Sequence, residues 1–96
     1  MAKPDFPPIT VVILTNEKQI AAAVSFYLRQ QADMQVAASL EVDSDVTGHA
    51  ALKESDVVLL DVDSPYPLIA DLVRSIRKLP NAPAIVVLTT WIDEAG

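Results

Sequence analysis

Apolar residues in this chain occur either in short continuous runs or at helical spacing. Continuous apolar runs indicate strands buried on both faces, as in parallel sheets. Strands are predicted over 9–14, 35–40, 57–61 and 84–89. Helices are predicted between them: one over 17–31, at most a weak one over 43–54 that Gly48 interrupts, and one from Leu68 that ends before Pro80. This alternation predicts an α/β fold with an open parallel sheet and right-handed crossovers.

The first predicted helix carries one apolar stripe. Its members are Ile20, Val24, Tyr27 and Leu28. They share a face because they are three or four residues apart, so we expect the whole stripe, Tyr27 included, to face the core. Asn16 is predicted to cap the start of the helix, and the negative charge of Glu17 suits the positive end of the helix dipole.

The composition indicates one small domain that does not bind nucleic acid by itself. The 96 residues are 51% hydrophobic, which is enough for one core. Prolines predict a disordered or extended tail over 1–8, which leaves 9–96 as the folded domain. The net charge of −6 disfavours contact with phosphate backbones. No apolar run is long enough to cross a bilayer and the first residues lack a signal-peptide core, so a cytoplasmic location is expected.

Residues that carry chemistry follow two of the predicted strands. Asp61 ends the run 57–61, and Thr89 ends the run 84–89. Open α/β sheets bind ligands at the carboxyl ends of their strands, so an acid on one strand end and a hydroxyl on the next predict a site that handles a phosphoryl group. The same two residues also fit a turn-capping acid and a β-branched strand residue. The absence of cysteine excludes disulfides and thiolate metal sites.

Four segments of the chain resemble one known family. They read ITVVILTNE over 9–17, DMQVAA over 33–38, DVVLLDVDSP over 56–65 and VVLTTW over 86–91. In this order and spacing they are similar to the receiver domain of two-component response regulators, most closely the NarL/LuxR-type branch. The resemblance implies a flavodoxin-like, CheY-like receiver fold and a role in phosphorelay signal transduction. It also implies a sensor histidine kinase as partner and a transcriptional output through a DNA-binding segment carried elsewhere.

The resemblance also assigns roles to individual residues. Asp61 corresponds to the phosphoacceptor, Thr89 to the hydroxyl that contacts the phosphoryl group, and the backbone carbonyl of Asp63 to a magnesium ligand. Thr15 and Asn16 stand where the family has an acidic pair. Magnesium prefers charged oxygen ligands, so a set of Asp61, the Asp63 carbonyl and a weak Asn16 implies weak or absent Mg²⁺ binding. Thr15 and Asn16 fit a turn with a helix cap at least as well.

The resemblance extends as far as the fourth strand. The family's last helix-strand-helix segment, which carries a lysine, has no counterpart before Gly96. Without a helix from that segment, we expect apolar atoms of the first and third strands to stay exposed and the fourth strand to be an open edge. A homodimer is therefore expected, or a longer natural protein of which this sequence is a part.

Two other functions stay open at this point. A receiver without its acidic pair is expected to work independently of phosphorylation, as a dimerisation or ligand-sensing module, and Thr15 and Asn16 favour this. The third hypothesis is an aspartyl-phosphate phosphatase of the haloacid-dehalogenase type, in which Asp63 is the acid/base. A strand-helix-strand unit before Asp61 and the lack of a later lysine count against it, so no enzyme activity is expected.

Overall fold

The structure, a computed structural model, describes residues 7–42, 46–61 and 66–88. The strands are β1 (Ile9–Leu14), β2 (Met34–Leu40), β3 (Val57–Asp61) and β4 (Ala84–Leu88), and the helices are α1 (Lys18–Arg29), α2 (Ala50–Lys53) and α3 (Tyr66–Arg77), with a 3₁₀ turn at Val46–Gly48. Strands and helices alternate in the predicted order. The weak helix predicted over 43–54 contains the 3₁₀ turn and the single-turn helix α2.

The four strands form one parallel sheet in the order β2-β1-β3-β4. This flavodoxin-like α/β arrangement confirms the predicted open parallel sheet. β1 and β3 occupy the centre, with Leu14 opposite Leu60, and Asp61 of β3 lies opposite Leu88 of β4. The carboxyl ends of β1 and β3 therefore lie side by side, at the edge where open α/β sheets bind ligands.

At the opposite edge, Asp56 holds three strands in register. Its carboxylate oxygen Oδ2 accepts a hydrogen bond from the backbone N–H of Thr10 at 2.8 Å, and its own N–H donates to the Thr10 carbonyl at 2.8 Å. The Asp56 carbonyl accepts from the N–H of Ala84 at 3.0 Å. One residue thus ties β1, β3 and β4 together, which fixes where their carboxyl ends come to lie.

The main hydrophobic core lies between one face of the sheet and the helices α2 and α3. Its buried members are Val12, Leu14, Val42, Val46, Leu52, Val58, Leu60, Ile69, Leu72 and Ile76. Side chains alternate between the two faces of a strand, so β1 contributes Val12 and Leu14 to this core and buries Val11 and Ile13 on the opposite face. The members from α3 are three or four residues apart and therefore lie on one face of that helix.

Helix α1 packs on the other face of the sheet and leaves its aromatic residues exposed. Its half-buried positions are Ile20, Ala21, Val24, Ser25 and Leu28. Helical geometry centres this arc near Val24 and Leu28, and Tyr27 lies roughly a quarter of a turn from that centre, just beyond the edge of the arc at Ile20. The prediction that Tyr27 faces the core is therefore wrong, since 66% of this residue is exposed. The neighbouring Phe26 is 71% exposed.

Replacing Tyr27 by alanine is expected to change the free energy of unfolding by less than about 0.5 kcal/mol. The exposed ring contributes little burial, and the higher helix propensity of alanine offsets part of what is lost. Val24→Ala on the half-buried side of the same helix is the matched control, with an expected loss of about 1 kcal/mol. Chemical denaturation measures both. A larger loss for Tyr27→Ala than for Val24→Ala would contradict the exposed position of the ring.

The exposed apolar surface of the sheet lies mainly on β4. The sequence predicts that apolar atoms of β1 and β3 stay exposed. This is wrong for β1, because the residues from Val11 to Leu14 are all buried, whereas Val57 and Leu59 of β3 are half-buried. On β4, Val86 and Val87 are 43% and 46% exposed. In the part of the chain that the structure describes, β4 pairs on one side only, with β3. The predicted open edge is therefore present within these residues.

The predicted tail lies mostly outside the described residues. Of the segment 1–8, Pro7 and Pro8 are described, and they belong to no helix or strand. None of the helices in the described ranges has the length and apolar character needed to cross a membrane.

Candidate functional site

Asp61 is the last residue of β3 and lies at the carboxyl edge of the sheet. Only 4% of the residue is exposed to solvent. Its counterpart on β4 is the apolar residue Leu88. A charged carboxylate is costly to bury unless hydrogen-bond donors compensate for the lost water. The neighbours of Asp61 therefore decide what it can do.

Thr15, the residue after β1, donates its hydroxyl hydrogen to Asp61. The distance from Thr15 Oγ1 to Asp61 Oδ2 is 2.7 Å, and Thr15 is 5% exposed. The two residues meet because β1 and β3 are parallel neighbours with Leu14 opposite Leu60, so that the next residue on each chain segment is Thr15 beside Asp61. A hydrogen bond from a hydroxyl to a carboxylate is charge-assisted and stronger than one between neutral groups.

Thr15 also organises the turn between β1 and α1. Its backbone N–H donates to the carbonyl of Leu40 at 3.0 Å, and its Oγ1 accepts from the N–H of Glu17 at 3.0 Å. Threonine oxygens commonly stabilise turns by accepting from an N–H two residues further on. The Thr15 hydroxyl is therefore a donor on one side and an acceptor on the other.

Asn16 does not cap α1. The helix begins at Lys18, with Glu17 at the N-cap position, and the Glu17 side chain makes no capping hydrogen bond. The Asn16 Oδ1 atom instead accepts from the N–H of Val42, just after β2, at 2.8 Å. The predicted cap is wrong because Asn16 stands one residue before the N-cap and its oxygen bonds to a distant part of the chain. Asn16 thereby ties the turn after β1 to the segment after β2.

The described residues do not fit a magnesium site. Mg²⁺ is held by hard and usually charged oxygen ligands. Of the predicted ligands that the structure describes, Asp61 is the carboxylate, and its Oδ2 already accepts the Thr15 hydroxyl hydrogen. The Asn16 oxygen accepts the Val42 N–H. Within the described part of the chain, no group of three or more His, Cys, Asp or Glu residues could hold a metal ion. Asp63, the third predicted ligand, lies outside that part.

Of the predicted site residues, the structure describes Asp61 and Asn16, and their side chains bond to Thr15 and to the N–H of Val42 respectively. Asp61 and Thr15 are in contact, whereas Thr89 lies outside the described residues, like Asp63. Sequence reasoning missed the bond between Thr15 and Asp61, because it treated Thr15 as the replacement of an acid or as a turn residue. The signal that could have found the bond is the register, since the residues after VVIL and VVLL come side by side when these two strands pair in parallel.

A groove of about 420 Å³ lies apart from this site, between α3 and β4. Its lining consists of Val73, Arg77, Pro83, Ala84, Ile85 and Val87. Neither Asp61 nor Thr15 belongs to the lining, and several of its members lie at the beginning of β4 rather than at its carboxyl end. The groove is therefore not part of the site around Asp61.

Comparison with known proteins identifies no family for the chain. No protein-family model matches the sequence, and no curated protein matches it at a significant level. The fold and the geometry around Asp61 are therefore the basis for any functional conclusion.

Proposed function

We propose that this chain is a receiver-type signal-input domain that works without phosphorylation of Asp61. In this proposal Asp61 occupies the position of the phosphoacceptor of two-component response regulators, and Thr15 holds its carboxylate in place of a metal ion. The observation that carries the proposal is the 2.7 Å hydrogen bond from Thr15 Oγ1 to Asp61 Oδ2 between two buried residues.

The sheet supports the receiver type. The order β2-β1-β3-β4 places Asp61 at the carboxyl end of a central parallel strand, where open α/β folds place their reactive groups. The unit formed by β1, α1 and β2 precedes β3. That unit counts against the haloacid-dehalogenase hypothesis, in which the strand that carries Asp61 opens the fold.

The surroundings of Asp61 support independence from phosphorylation. Transfer of a phosphoryl group needs positive charge that stabilises the transition state. Among the described residues, the hydrogen-bond donor to the Asp61 side chain is the neutral Thr15 hydroxyl. The salt bridge in this part of the chain, between Arg74 and Asp71, lies on the exposed surface of α3. A phosphoryl group on Oδ2 also requires the Thr15 hydroxyl to move away. These features favour an Asp61 carboxylate that stays unphosphorylated.

A signal-input domain acts through a partner surface rather than through turnover. We propose a homodimer in the cytoplasm, with transcriptional output through a segment outside this sequence. The exposed Val86 and Val87 on the edge strand β4 support a contact surface there. Sedimentation at micromolar concentration tests the dimer, and a single monomeric species would contradict it.

The second candidate is a receiver that is phosphorylated on Asp61, and the position of Asp61 at the end of β3 favours it. In that reaction a carboxylate oxygen of Asp61 attacks the phosphorus of a phosphohistidine in a sensor histidine kinase. The O–P bond forms as the N–P bond breaks, and the bonding electron pair returns to the imidazole. Thr15 then has to release Asp61 or donate its hydrogen to the acyl phosphate.

Incubation with acetyl phosphate and Mg²⁺ is expected to leave the intact mass of the protein unchanged, because the described residues around Asp61 form no Mg²⁺ site and the group that donates to its carboxylate there is the neutral Thr15 hydroxyl. Mass spectrometry is the measurement, with Asp61→Asn as the matched control and circular dichroism to show that both proteins are folded. An active receiver domain in the same reaction shows that the donor works. One phosphoryl group on the natural sequence, absent from Asp61→Asn, would contradict the first candidate and support the second.

A further inference from the structure

We infer that Thr15 relays the state of the Asp61 carboxylate to the first turn of α1. The inference rests on the proposed function in one respect, namely that the Asp61 carboxylate stands at the phosphoacceptor position and is held there by Thr15. Thr15 is a positioning residue in this relay, because it acts through the two groups that it joins.

The relay consists of two hydrogen bonds that share one oxygen atom. Thr15 Oγ1 donates to Asp61 Oδ2 at 2.7 Å and accepts from the N–H of Glu17 at 3.0 Å. A hydroxyl has a single hydrogen, so donation to Asp61 fixes its direction and leaves the lone pairs for Glu17. Donation to a charged acceptor also polarises the hydroxyl and strengthens the bond that its oxygen accepts. The strength of the Glu17 bond therefore depends on the charge of Asp61.

The start of α1 is not stabilised by a side-chain cap from its N-cap residue. Glu17 is the N-cap residue, its side chain makes no capping hydrogen bond, and the first turn contains no acidic residue. The N–H of Ala21 bonds to the Glu17 carbonyl at 3.0 Å, and the Glu17 N–H bonds to Thr15 Oγ1. A helix start without a side-chain cap frays readily. A change in the Thr15 hydroxyl is therefore expected to loosen the first turn of α1.

The same turn connects Asp61 to the end of β2. Asn16 Oδ1 accepts from the N–H of Val42 at 2.8 Å, and the N–H of Thr15 donates to the Leu40 carbonyl at 3.0 Å. A shift of the turn is therefore passed to the segment after β2. The surface that reports the state of Asp61 consists of the first turn of α1 and residues 40–42.

Hydrogen exchange of the Glu17 amide, followed by NMR, tests the relay. Thr15→Val removes the shared oxygen and is expected to raise the exchange rate of this amide at least about tenfold, whereas Thr15→Ser keeps the hydroxyl and is expected to retain slow exchange. Asp61→Ala leaves the hydroxyl but removes its acceptor, and a rise of about three- to tenfold is expected. The Ala84 amide, which donates to the Asp56 carbonyl, is the internal control and is expected to stay unchanged.

The double variant Thr15→Val/Asp61→Ala separates a relay from two independent effects. Its Glu17 exchange rate is expected to equal that of Thr15→Val alone, because the effect of Asp61 passes through Thr15. The relay is overturned if the two changes act additively. It is also overturned if the Glu17 amide of Asp61→Ala exchanges as slowly as in the natural sequence while that of Thr15→Val exchanges fast. Thr15 would then stabilise the turn without responding to Asp61.

Asp61→Asn keeps the test informative if Asp61→Ala does not fold. The asparagine amide retains a neutral oxygen for the Thr15 hydroxyl, so Glu17 exchange is expected to rise by a smaller factor than in Asp61→Ala. Unchanged exchange in a folded Asp61→Asn protein would overturn the relay. No phosphoryl donor is present in these measurements, so phosphorylation of Asp61 in the mass experiment would overturn the proposed function without deciding the relay.

Discussion

Replacing Leu60 by alanine is expected to lower the free energy of unfolding by about 3–4 kcal/mol. Leu60 is fully buried in β3, between Leu14 of β1 and Val87 of β4, and belongs to the main core with α3. Two effects add up in this loss: the removed methyl groups no longer contribute buried apolar surface, and a cavity remains where they were. The cavity closes poorly because β3 is hydrogen-bonded to a strand on each side. Small domains have a total stability of about 5–15 kcal/mol, so this one change removes a large share.

Leu59→Ala is the matched control for Leu60→Ala, because it makes the same chemical change on the opposite face of the same strand. Leu59 is half-buried, and the expected loss is about 1–2 kcal/mol. Leu60→Met conserves volume and is expected to cost less than about 1.5 kcal/mol. Urea denaturation of the three variants gives the losses. Equal losses for the two alanine variants would contradict a main core on the α3 side of the sheet.

The strands could be predicted closely because a buried parallel strand requires a continuous apolar run. The predictions over 9–14 and 57–61 coincide with β1 and β3. The first helix, predicted over 17–31, is shorter at both ends. The ends of a helix depend on the groups that bond to its free N–H and C=O groups. Those groups come from other parts of the chain, so an apolar pattern gives the helix but not its limits.

Two residue-level predictions failed because they depend on contacts between distant segments. The periodicity of α1 identifies an apolar stripe, but the sheet below decides which edge of the stripe is covered, and Tyr27 lies on the uncovered side. Asn16 is a residue type that often caps helices, yet its oxygen bonds to Val42, which is 26 positions away in the sequence. Capping propensity therefore indicates which residue types can cap a helix, but the fold decides which group the side chain actually bonds to.

The position of Asp61 could be predicted, whereas the bond that decides its chemistry could not. Asp61 follows an apolar run, and a residue there lies at the carboxyl edge of a parallel sheet. Thr15 reaches it because β1 and β3 are neighbours, although the two residues are 46 positions apart. The order of strands in the sheet is a property of the whole fold, and so is the hydrogen bond that follows from it.

The double variant Thr15→Asp/Asn16→Asp is expected to make the stability of the protein depend on Mg²⁺. The first change replaces the hydroxyl that lies 2.7 Å from Asp61 Oδ2 by a second carboxylate, and like charges at buried positions repel each other. The second change keeps an oxygen for the Val42 N–H. Without metal, a loss of at least about 2 kcal/mol in unfolding free energy is expected. Millimolar Mg²⁺ is expected to recover much of it, because carboxylates placed together hold the ion in the folded state only.

Thr15→Asn/Asn16→Asp is the matched control, since it copies the shape of the double variant without the charge beside Asp61. Thermal unfolding with and without Mg²⁺, at constant ionic strength, is the measurement, and a rise in Tm is expected for the double aspartate variant alone. The natural sequence is expected to show no Mg²⁺-specific rise, because Thr15 already bonds to the Asp61 carboxylate. A rise as large in the natural sequence as in the variant would mean that Thr15 does not exclude the metal. The reason for a phosphorylation-independent receiver would then be gone, and phosphorylation on Asp61 would be the better supported function.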